Sequence, residues 1–327
     1  MKIKLLFGTL AVCSIPLLSG CNDTNNNNIT LRIAQASASD GAIGVSLDKF
    51  SKDVFEKSNG RIKILTFHNG QLGSERENIE SVQMGDLDMA VVNQSVLINF
   101  LPELAAFDLP YTITSAKHAD KVFLGEIGNH YLKELENVRL KGFSIWESGF
   151  RNLTNSVRDV NKVADVNNLR IRVMENKIHQ ELWMALGADP VPMSWSDAYT
   201  GMQQGAIDGQ ENPATVIDKN NVVEVNKHMA VTEHCYSTVY ILFSTKIWDQ
   251  LSSNDQEILT KCMRKAELDE RALSRKMDKE AIFTLESKGM NVTYPNKQGF
   301  IQKSAIVREK YGATFKDLLD KIQALAD

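Results

Sequence analysis

Short β-rich runs alternate with amphipathic helical runs along the chain, and this alternation restricts the fold more than any other feature of the sequence. Residues 30–36 are typical of a strand, residues 47–58 carry apolar side chains at helical spacing, and residues 61–67 alternate as a second strand. Residues 87–92 form a nearly continuous apolar run, as expected for a parallel strand buried on both faces. Such strand–helix–strand repetition predicts an α/β fold with parallel strands and right-handed crossovers.

A second α/β stretch begins near Phe150, and a long helical segment follows it. Residues 253–288 contain no glycine or proline and are rich in Glu, Lys, Leu, Ala and Arg, with Ser253 as a candidate N-cap and Gly289 as a candidate stop. At about 1.5 Å per residue, a helix of this length would extend roughly 54 Å. The 327 residues are enough for two domains of ordinary size. We therefore expect the helix to cross both domains.

Composition and motifs argue against several classes of function. The net charge of −4 disfavours a nucleic acid partner, because a phosphate-binding surface needs a basic excess. The six histidines show none of the spacings of metal sites, and no phosphate-binding or nucleophile motif occurs. We therefore predict no metal, no other cofactor and no catalytic site. Either a disulfide or two free thiols at Cys235 and Cys262 fits the sequence.

The N-terminus is typical of an export signal at residues 1–20. A basic tip is followed by a mostly apolar stretch at residues 5–18, which is too short to span a bilayer, and by small residues before Cys21. This arrangement resembles the bacterial lipobox, in which the cysteine is acylated and becomes the new N-terminus; a plain signal with a chance cysteine is the alternative. Residues 21–28 are polar and asparagine-rich, and we interpret them as a tether.

Six segments in consecutive order resemble one protein family. They are SNGRI at residues 58–62, NGQLGSER at 69–76, FDLPY at 107–111, GFRNLTNS at 149–156, LRIRV at 169–173 and DGQENP at 208–213. Together they resemble the solute-binding proteins of tripartite ATP-independent periplasmic (TRAP) transporters, of the dicarboxylate-binding DctP type. The resemblance runs from about residue 29 over nearly the whole remaining chain.

The resemblance implies two α/β lobes of the periplasmic-binding-protein type, joined by crossing strands and the long helix, which close on a small carboxylate. The first lobe would hold residues 29–148 and about 238–278, and the second would hold residues 149–237 and about 279–327. It also implies a monomeric extracytoplasmic receptor that passes a small organic acid to integral membrane TRAP subunits. Most such relatives are free in the periplasm, so the lipobox is a departure that suggests anchoring to a membrane.

Arg172 is the main candidate for binding the carboxylate. Arg170 and Arg172 share one face of a predicted strand, and from the pattern alone a solvated arginine is the simpler interpretation. The resemblance instead implies that Arg172 clamps the ligand's carboxylate with its planar guanidinium. Asn212, which as the residue before Pro213 could be a plain turn residue, would by the same resemblance hydrogen-bond that carboxylate.

The resemblance assigns further residues to the second half of the site. Arg151 would lie near the ligand and be held by Glu211 and His234, either as a triad that favours the closed form or as a fixed structural ion pair. Trp195 would pack against the ligand's carbon skeleton, and a core or helix-cap aromatic is the alternative.

Four residues are expected near the ligand's distal end or along the pocket walls. Glu75 and Asn93 match positions that touch the distal end and should set specificity, whereas Trp146 and Glu147 are candidate pocket walls. Asn93 is neutral, which favours a sugar acid or uronate over a C4-dicarboxylate. We predict a receptor without enzymatic activity; the alternatives are a ligand-sensing module for a receptor kinase and a lipid-anchored enzyme acting on small acids.

Overall fold

The computed structural model of the protein describes residues 28–326, so the predicted signal, Cys21 and most of the tether lie outside the described residues. The strands are β1 (Ile29–Ala34), β2 (Ile62–Phe67), β3 (Met89–Asn93), β4 (Leu140–Asn155), β5 (Arg170–Val173), β6 (Asp189–Pro192), β7 (Gly209–Pro213), β8 (His228–Ala230), β9 (Tyr236–Ser244) and β10 (Asn291–Thr293). The helices are α1 (Ala42–Lys57), α2 (Glu75–Met84), α3 (Gln94–Leu97), α4 (Ala116–Phe123), α5 (Glu126–Glu134), α6 (Lys177–Leu186), α7 (Trp195–Gln203), α8 (Ala214–Lys219), α9 (Thr245–Trp248), α10 (Ser253–Ser287), α11 (Lys297–Gly312) and α12 (Lys316–Ala324). Short 3₁₀ turns lie at Pro102–Asp108, Leu135–Val138, Val163–Val166 and Val222–Glu224.

Two sheets share the 16-residue strand β4. The first sheet has the order β2-β1-β3-β9-β4, and the second continues β4-β7-β5-β6, with β8 and β10 added beside β4. Residues 140–150 of β4 pair with β9, whereas residues 151–155 pair with β7, and both pairings are antiparallel. The pairs β1–β2, β1–β3, β5–β6, β5–β7 and β8–β10 are parallel, as predicted for an α/β fold, whereas β3–β9 and β4–β8 are antiparallel. The antiparallel crossing by β4 and β9 was not visible in the pattern of the sequence.

Each sheet is covered on its faces by its own hydrophobic cores, which divides the molecule into two lobes. In the first lobe, Phe50 and Leu47 of α1 pack under β1 and β3, and Phe107 and Phe123 pack on the other face. The second lobe has separate cores around Trp183 and around residues of α8. The predicted two-lobe α/β architecture is therefore confirmed.

The long helix α10 spans both lobes. Its 35 residues correspond to roughly 52 Å, and it contributes Leu259 and Met263 to a core of the first lobe but Ala281 and Leu285 to a core of the second. The prediction of residues 253–288 is accurate to one residue, although the N-cap is Ser252, whose hydroxyl accepts a hydrogen bond from the backbone N–H of Asp255. Within residues 28–326, no helix combines the length and apolar content that crossing a bilayer requires.

The C-terminal helix departs from the expected division of the lobes. The resemblance assigns the whole tail from about residue 279 to the second lobe, but Leu318 and Ile322 of α12 pack in a core of the first. The Nε2 atom of His118 in α4 lies 2.8 Å from the carbonyl oxygen of Ile322 and fixes this contact. Leu318 and Ile322 of α12 thus pack against the first lobe, while Leu319 packs in a cluster with Val307 of α11.

Cys235 and Cys262 are free, buried thiols. Cys235 lies in the core around Trp183, and Cys262 lies in the core beneath α1. The structure therefore contains two separate thiols rather than a disulfide.

Candidate functional site

A cavity between the two lobes brings together five of the predicted ligand-contacting residues. It encloses about 420 Å³, part of it open to solvent. The carboxyl end of β3 and strands β5 and β7 border it, which is where ligands of α/β proteins bind. The predicted residues that line it are Glu75, Asn93, Arg172, Trp195 and Asn212.

Arg172 is a buried cation without an anionic partner. Its side chain is 2% exposed, and its Nε atom donates a 2.8 Å hydrogen bond to the carbonyl oxygen of Met193. Within the described chain no carboxylate lies within 4 Å of its guanidinium, and its Nη1 and Nη2 atoms make no hydrogen bond. Burial lowers the pKa of Arg172 to about 10, although the more distant carboxylates of Glu211 and Glu75 act in the opposite direction. Two strong donors are therefore left to bind an anion in the cavity.

Trp195 and Asn212 flank this guanidinium. Trp195 begins α7, and its ring centroid lies 5.5 Å from the Cζ atom of Arg172, a cation–π distance. Asn212 lies on β7, and its Nδ2 atom donates a 2.6 Å hydrogen bond to the Oε1 atom of Gln210. The oxygen and the second N–H of the Asn212 amide remain for a ligand.

The opposite end of the cavity carries an acidic residue, Glu75, and a neutral one, Asn93, and no basic residue lines it within the described chain. Ser74 caps α2 in the predicted capping box with Glu77, and this places Glu75 at the start of the helix. The Oε1 atom of Glu75 accepts a 2.8 Å hydrogen bond from the backbone N–H of Asn93 at the end of β3. Burial raises the pKa of the Glu75 carboxyl, and the Asn93 N–H and the Arg172 charge counteract that shift.

Arg151, Glu211 and His234 are in direct contact, as the resemblance implied, but they lie behind the cavity. The Nε atom of Arg151 is 2.5 Å from the Oε2 atom of Glu211, and its Nη2 atom is 3.0 Å from the Oε1 atom. The Nε2 atom of His234 lies 3.0 Å from the Oε2 atom of Glu211. The hydroxyl oxygen of Ser237 accepts from Arg151 at 3.4 Å and from Asn93 at 2.8 Å, which connects the triad to the cavity.

Two members of this buried network were missed in the sequence. His179 lies 3.6 Å from Glu211 and 3.4 Å from Asp108, and the Asp108 carboxylate accepts hydrogen bonds from Gln94 at 2.6 Å and Asn176 at 2.5 Å. The sequence did contain a signal for His179, because position 179 lies on the apolar stripe of α6 that continues at residues 182, 183 and 186. A polar side chain on such a stripe needs a buried partner.

Trp146 and Glu147, the two predicted pocket walls, do not line this cavity. Trp146 is fully buried in a core of the first lobe and does not line the cavity. The pairing of β4 shifts between Glu147 and Gly149, where Gly149 has a φ of 113°, and Ser148 is the residue of this bulge that lines the cavity. Glu147 borders an adjoining part of the cleft, and its Oε2 atom lies 2.6 Å from the Nη2 atom of Arg275.

The lobes are also joined by direct polar contacts. The Nδ2 atom of Asn176 in the second lobe donates to the carbonyl oxygen of Ser95 in the first at 3.0 Å. The Nζ atom of Lys219 lies 3.4 Å from the Oδ2 atom of Asp40. Within residues 28–326, no group of three or more His, Cys, Asp or Glu side chains could hold a metal ion.

Comparisons with known proteins agree with this architecture. The family model described as bacterial extracellular solute-binding protein, family 7 (DctP), matches residues 33–314. A solute-binding protein of Verminephrobacter eiseniae is 33% identical over 297 residues, which cover 90% of this chain and 89% of the relative. Among solved structures, a TRAP periplasmic solute-binding protein of Polaromonas sp. bound to D-erythronate superposes with a TM-score of 0.89 at 33% identity, covering 92% of this chain and 100% of that one. The sugar acid-binding protein of Advenella mimigardefordensis in complex with galactonate gives a TM-score of 0.89 at 28% identity, covering 92% and 99%.

Proposed function

The chain belongs to the bacterial extracellular solute-binding proteins of family 7, and from this membership we propose that it is the receptor of a TRAP transporter for a small hydroxylated carboxylate. The receptor binds by closure of its two lobes, breaks no bond, and passes the ligand to integral membrane subunits. A ligand that touches both lobes selects the closed form, because only that form offers both sets of contacts.

The observation that carries this proposal is the unpaired cation at Arg172. A buried guanidinium without a counter-ion is costly, and a ligand carboxylate in the cavity would remove that cost by forming two parallel hydrogen bonds. Asn212 adds a neutral donor and acceptor beside the same carboxylate, and Trp195 offers an apolar face to the carbon skeleton.

The ligand class follows from the charges at the other end of the cavity. Arg151 is neutralised by Glu211, so it does not offer a second free cation. Glu75 would repel a second carboxylate but can accept a hydrogen bond from a hydroxyl group. A sugar acid therefore fits better than a C4-dicarboxylate. The relatives crystallised with D-erythronate and with galactonate support the same class.

We extend the proposal to the division and anchoring of the molecule. We assign residues 29–148, about 238–278 and the last helix to the first lobe, and residues 149–237 and about 279–312 to the second. The receptor works as a monomer tethered to a membrane through an acylated Cys21. Replacement of Cys21 by serine should release the protein from membranes and abolish its labelling by fatty acid.

A thermal-unfolding screen of organic acids tests the receptor function. A ligand at about 100 times its dissociation constant stabilises the folded state by roughly 2.7 kcal/mol, which should raise the unfolding midpoint by several degrees. We expect aldonates and uronates to do so and succinate to have a smaller effect. The Arg172→Met variant should lose the response, and Arg170→Met serves as the matched control on the same strand. An unchanged midpoint with every aldonate, uronate, dicarboxylate, keto acid and sialic acid would contradict the proposal.

A further inference from the structure

Each ring nitrogen of His179 lies within 4 Å of a carboxylate oxygen, and neither nitrogen makes a hydrogen bond with another group of the described chain. The Nδ1 atom lies 3.6 Å from the Oε1 atom of Glu211 on β7, and the Nε2 atom lies 3.4 Å from the Oδ2 atom of Asp108 at the end of the 3₁₀ turn Pro102–Asp108. The ring is fully buried. Glu211 belongs to the second lobe and precedes the cavity residue Asn212, whereas Asp108 is held by Gln94 of the first lobe.

Two carboxylates this close to a fully buried ring favour the imidazolium form of His179 electrostatically. A neutral imidazole has one N–H, so one of its ring nitrogens would direct a lone pair at a carboxylate oxygen. A doubly protonated ring places a positive charge beside both acids. Burial acts to lower the pKa of His179, but Asp108 and Glu211 outweigh it and raise the pKa to about 9.

The other charged and titratable groups around this ring are consistent with a positive charge. Arg151 supplies one cation to Glu211, so two carboxylates face two cations only when His179 is protonated. Burial lowers the pKa of His234 and raises that of the Cys235 thiol, so both side chains are neutral neighbours.

His234 provides an internal comparison. Its Nε2 atom also faces Glu211, but its Nδ1 atom lies 2.8 Å from the hydroxyl oxygen of Thr232, which can donate to a ring nitrogen. A neutral ring therefore satisfies both contacts of His234. The second neighbours of the two histidines therefore differ, a hydroxyl group for His234 and a carboxylate for His179.

We propose that His179 is a cationic positioning residue for the carboxylate site, and that its imidazolium joins Glu211 of the second lobe to Asp108 of the first. This rests on the proposed receptor function, since the joined lobes are those that close on the ligand. The ion pairs hold β7 and therefore Asn212 in place. Loss of the proton leaves two carboxylates with one cation and loosens the contact between the lobes, so the affinity for ligand falls.

The charge of His179 can be measured without a ligand. In protein labelled with ¹⁵N-histidine, the ring of His179 should be doubly protonated at pH 7.5 and should titrate near pH 9, whereas His234 should be neutral. His179→Gln and His234→Gln assign the two signals. A His179 ring that is neutral at pH 7.5 would overturn the proposal whether or not the protein binds any organic acid.

Affinity for galactonate, measured by calorimetry, tests the positioning role. We expect at least a tenfold loss of affinity at pH 7.5 for His179→Gln. Between pH 7.5 and pH 10 wild type should lose about tenfold more affinity than His179→Gln, because deprotonation of Arg172, whose pKa is about 10, affects both proteins alike. The double variant Asp108→Asn/His179→Gln lacks the excess negative charge of His179→Gln. It should recover most of the affinity that His179→Gln loses. An equal pH dependence in wild type and His179→Gln would refute the role. Absence of galactonate binding by wild type would count against the proposed ligand class, while the ring titration still decides the charge.

Discussion

Arg151 and Arg172 are two buried arginines with opposite surroundings. Their side chains are 1% and 2% exposed. Arg151 is bound by the carboxylate of Glu211 and by Ser237, whereas Arg172 has only a carbonyl oxygen and an indole ring. Residue type and burial therefore do not distinguish an arginine that stabilises the fold from an arginine that binds a ligand. The difference lies in whether the chain itself supplies the anion, and where it does not, we expect the ligand to supply it.

The largest effect should come from breaking the internally paired arginine. Glu211→Gln leaves Arg151 buried without a charged partner, which should lower the free energy of unfolding by about 3–5 kcal/mol. Chemical denaturation at neutral pH measures this loss. Arg170→Gln, at the exposed pair with Asp208, is the matched control and should unfold like wild type. Equal stability of Glu211→Gln and wild type would remove the distinction between the two arginines.

Replacing the unpaired arginine should affect binding rather than folding. Arg172→Met should weaken binding of the cognate acid by about 2–5 kcal/mol, the usual effect of truncating one partner of a buried charged pair. The free energy of unfolding without ligand should stay the same or rise, because the substitution removes an uncompensated buried charge. Calorimetry and denaturation measure the two quantities. An affinity loss of less than tenfold would show that Arg172 does not bind the carboxylate.

A smaller effect is expected at the acidic end of the cavity. Glu75→Gln removes the charge that opposes a second carboxylate while keeping an acceptor for hydroxyl groups. The affinity for succinate relative to galactonate should rise by about tenfold, which corresponds to about 1.4 kcal/mol. Competition calorimetry gives this ratio directly. An unchanged ratio would mean that Glu75 does not set the preference for a single carboxylate.

The smallest effect concerns the aromatic neighbour of Arg172. Trp195→Leu keeps an apolar surface but removes the ring beside the guanidinium, and binding should weaken by about 0.5–2 kcal/mol. Trp195→Phe retains a ring face and is the control. If both variants bind equally well, Trp195 contributes apolar area alone.

The sequence predicted local features well and tertiary placement poorly. The capping box at Ser74 and the extent of α10 depend on neighbours within one helix, and both are confirmed. Arg170 and Arg172 share one strand face, yet the first is exposed beside Asp208 and the second is buried beside the cavity. That difference is made by segments distant in the chain, so alternation alone could not separate them.

The errors at other positions have the same origin. Trp146 was a candidate pocket wall, but it lies in a core, and Ser148 at the bulge before Gly149 lines the cavity instead. The partner of α12 and the two acids beside His179 come from remote segments of the chain. The family resemblance supplied the residues of the cavity, whereas the charges that surround them required coordinates.

The helix α10 is packed into the cores of both lobes along its length. A rotation of one lobe against the other would displace the two ends of this single rigid element in different directions. Because its two ends are packed into separate cores, the helix would then have to curve, and this curvature stores elastic energy. The angle through which the lobes open is thereby limited by the bending stiffness of one α-helix.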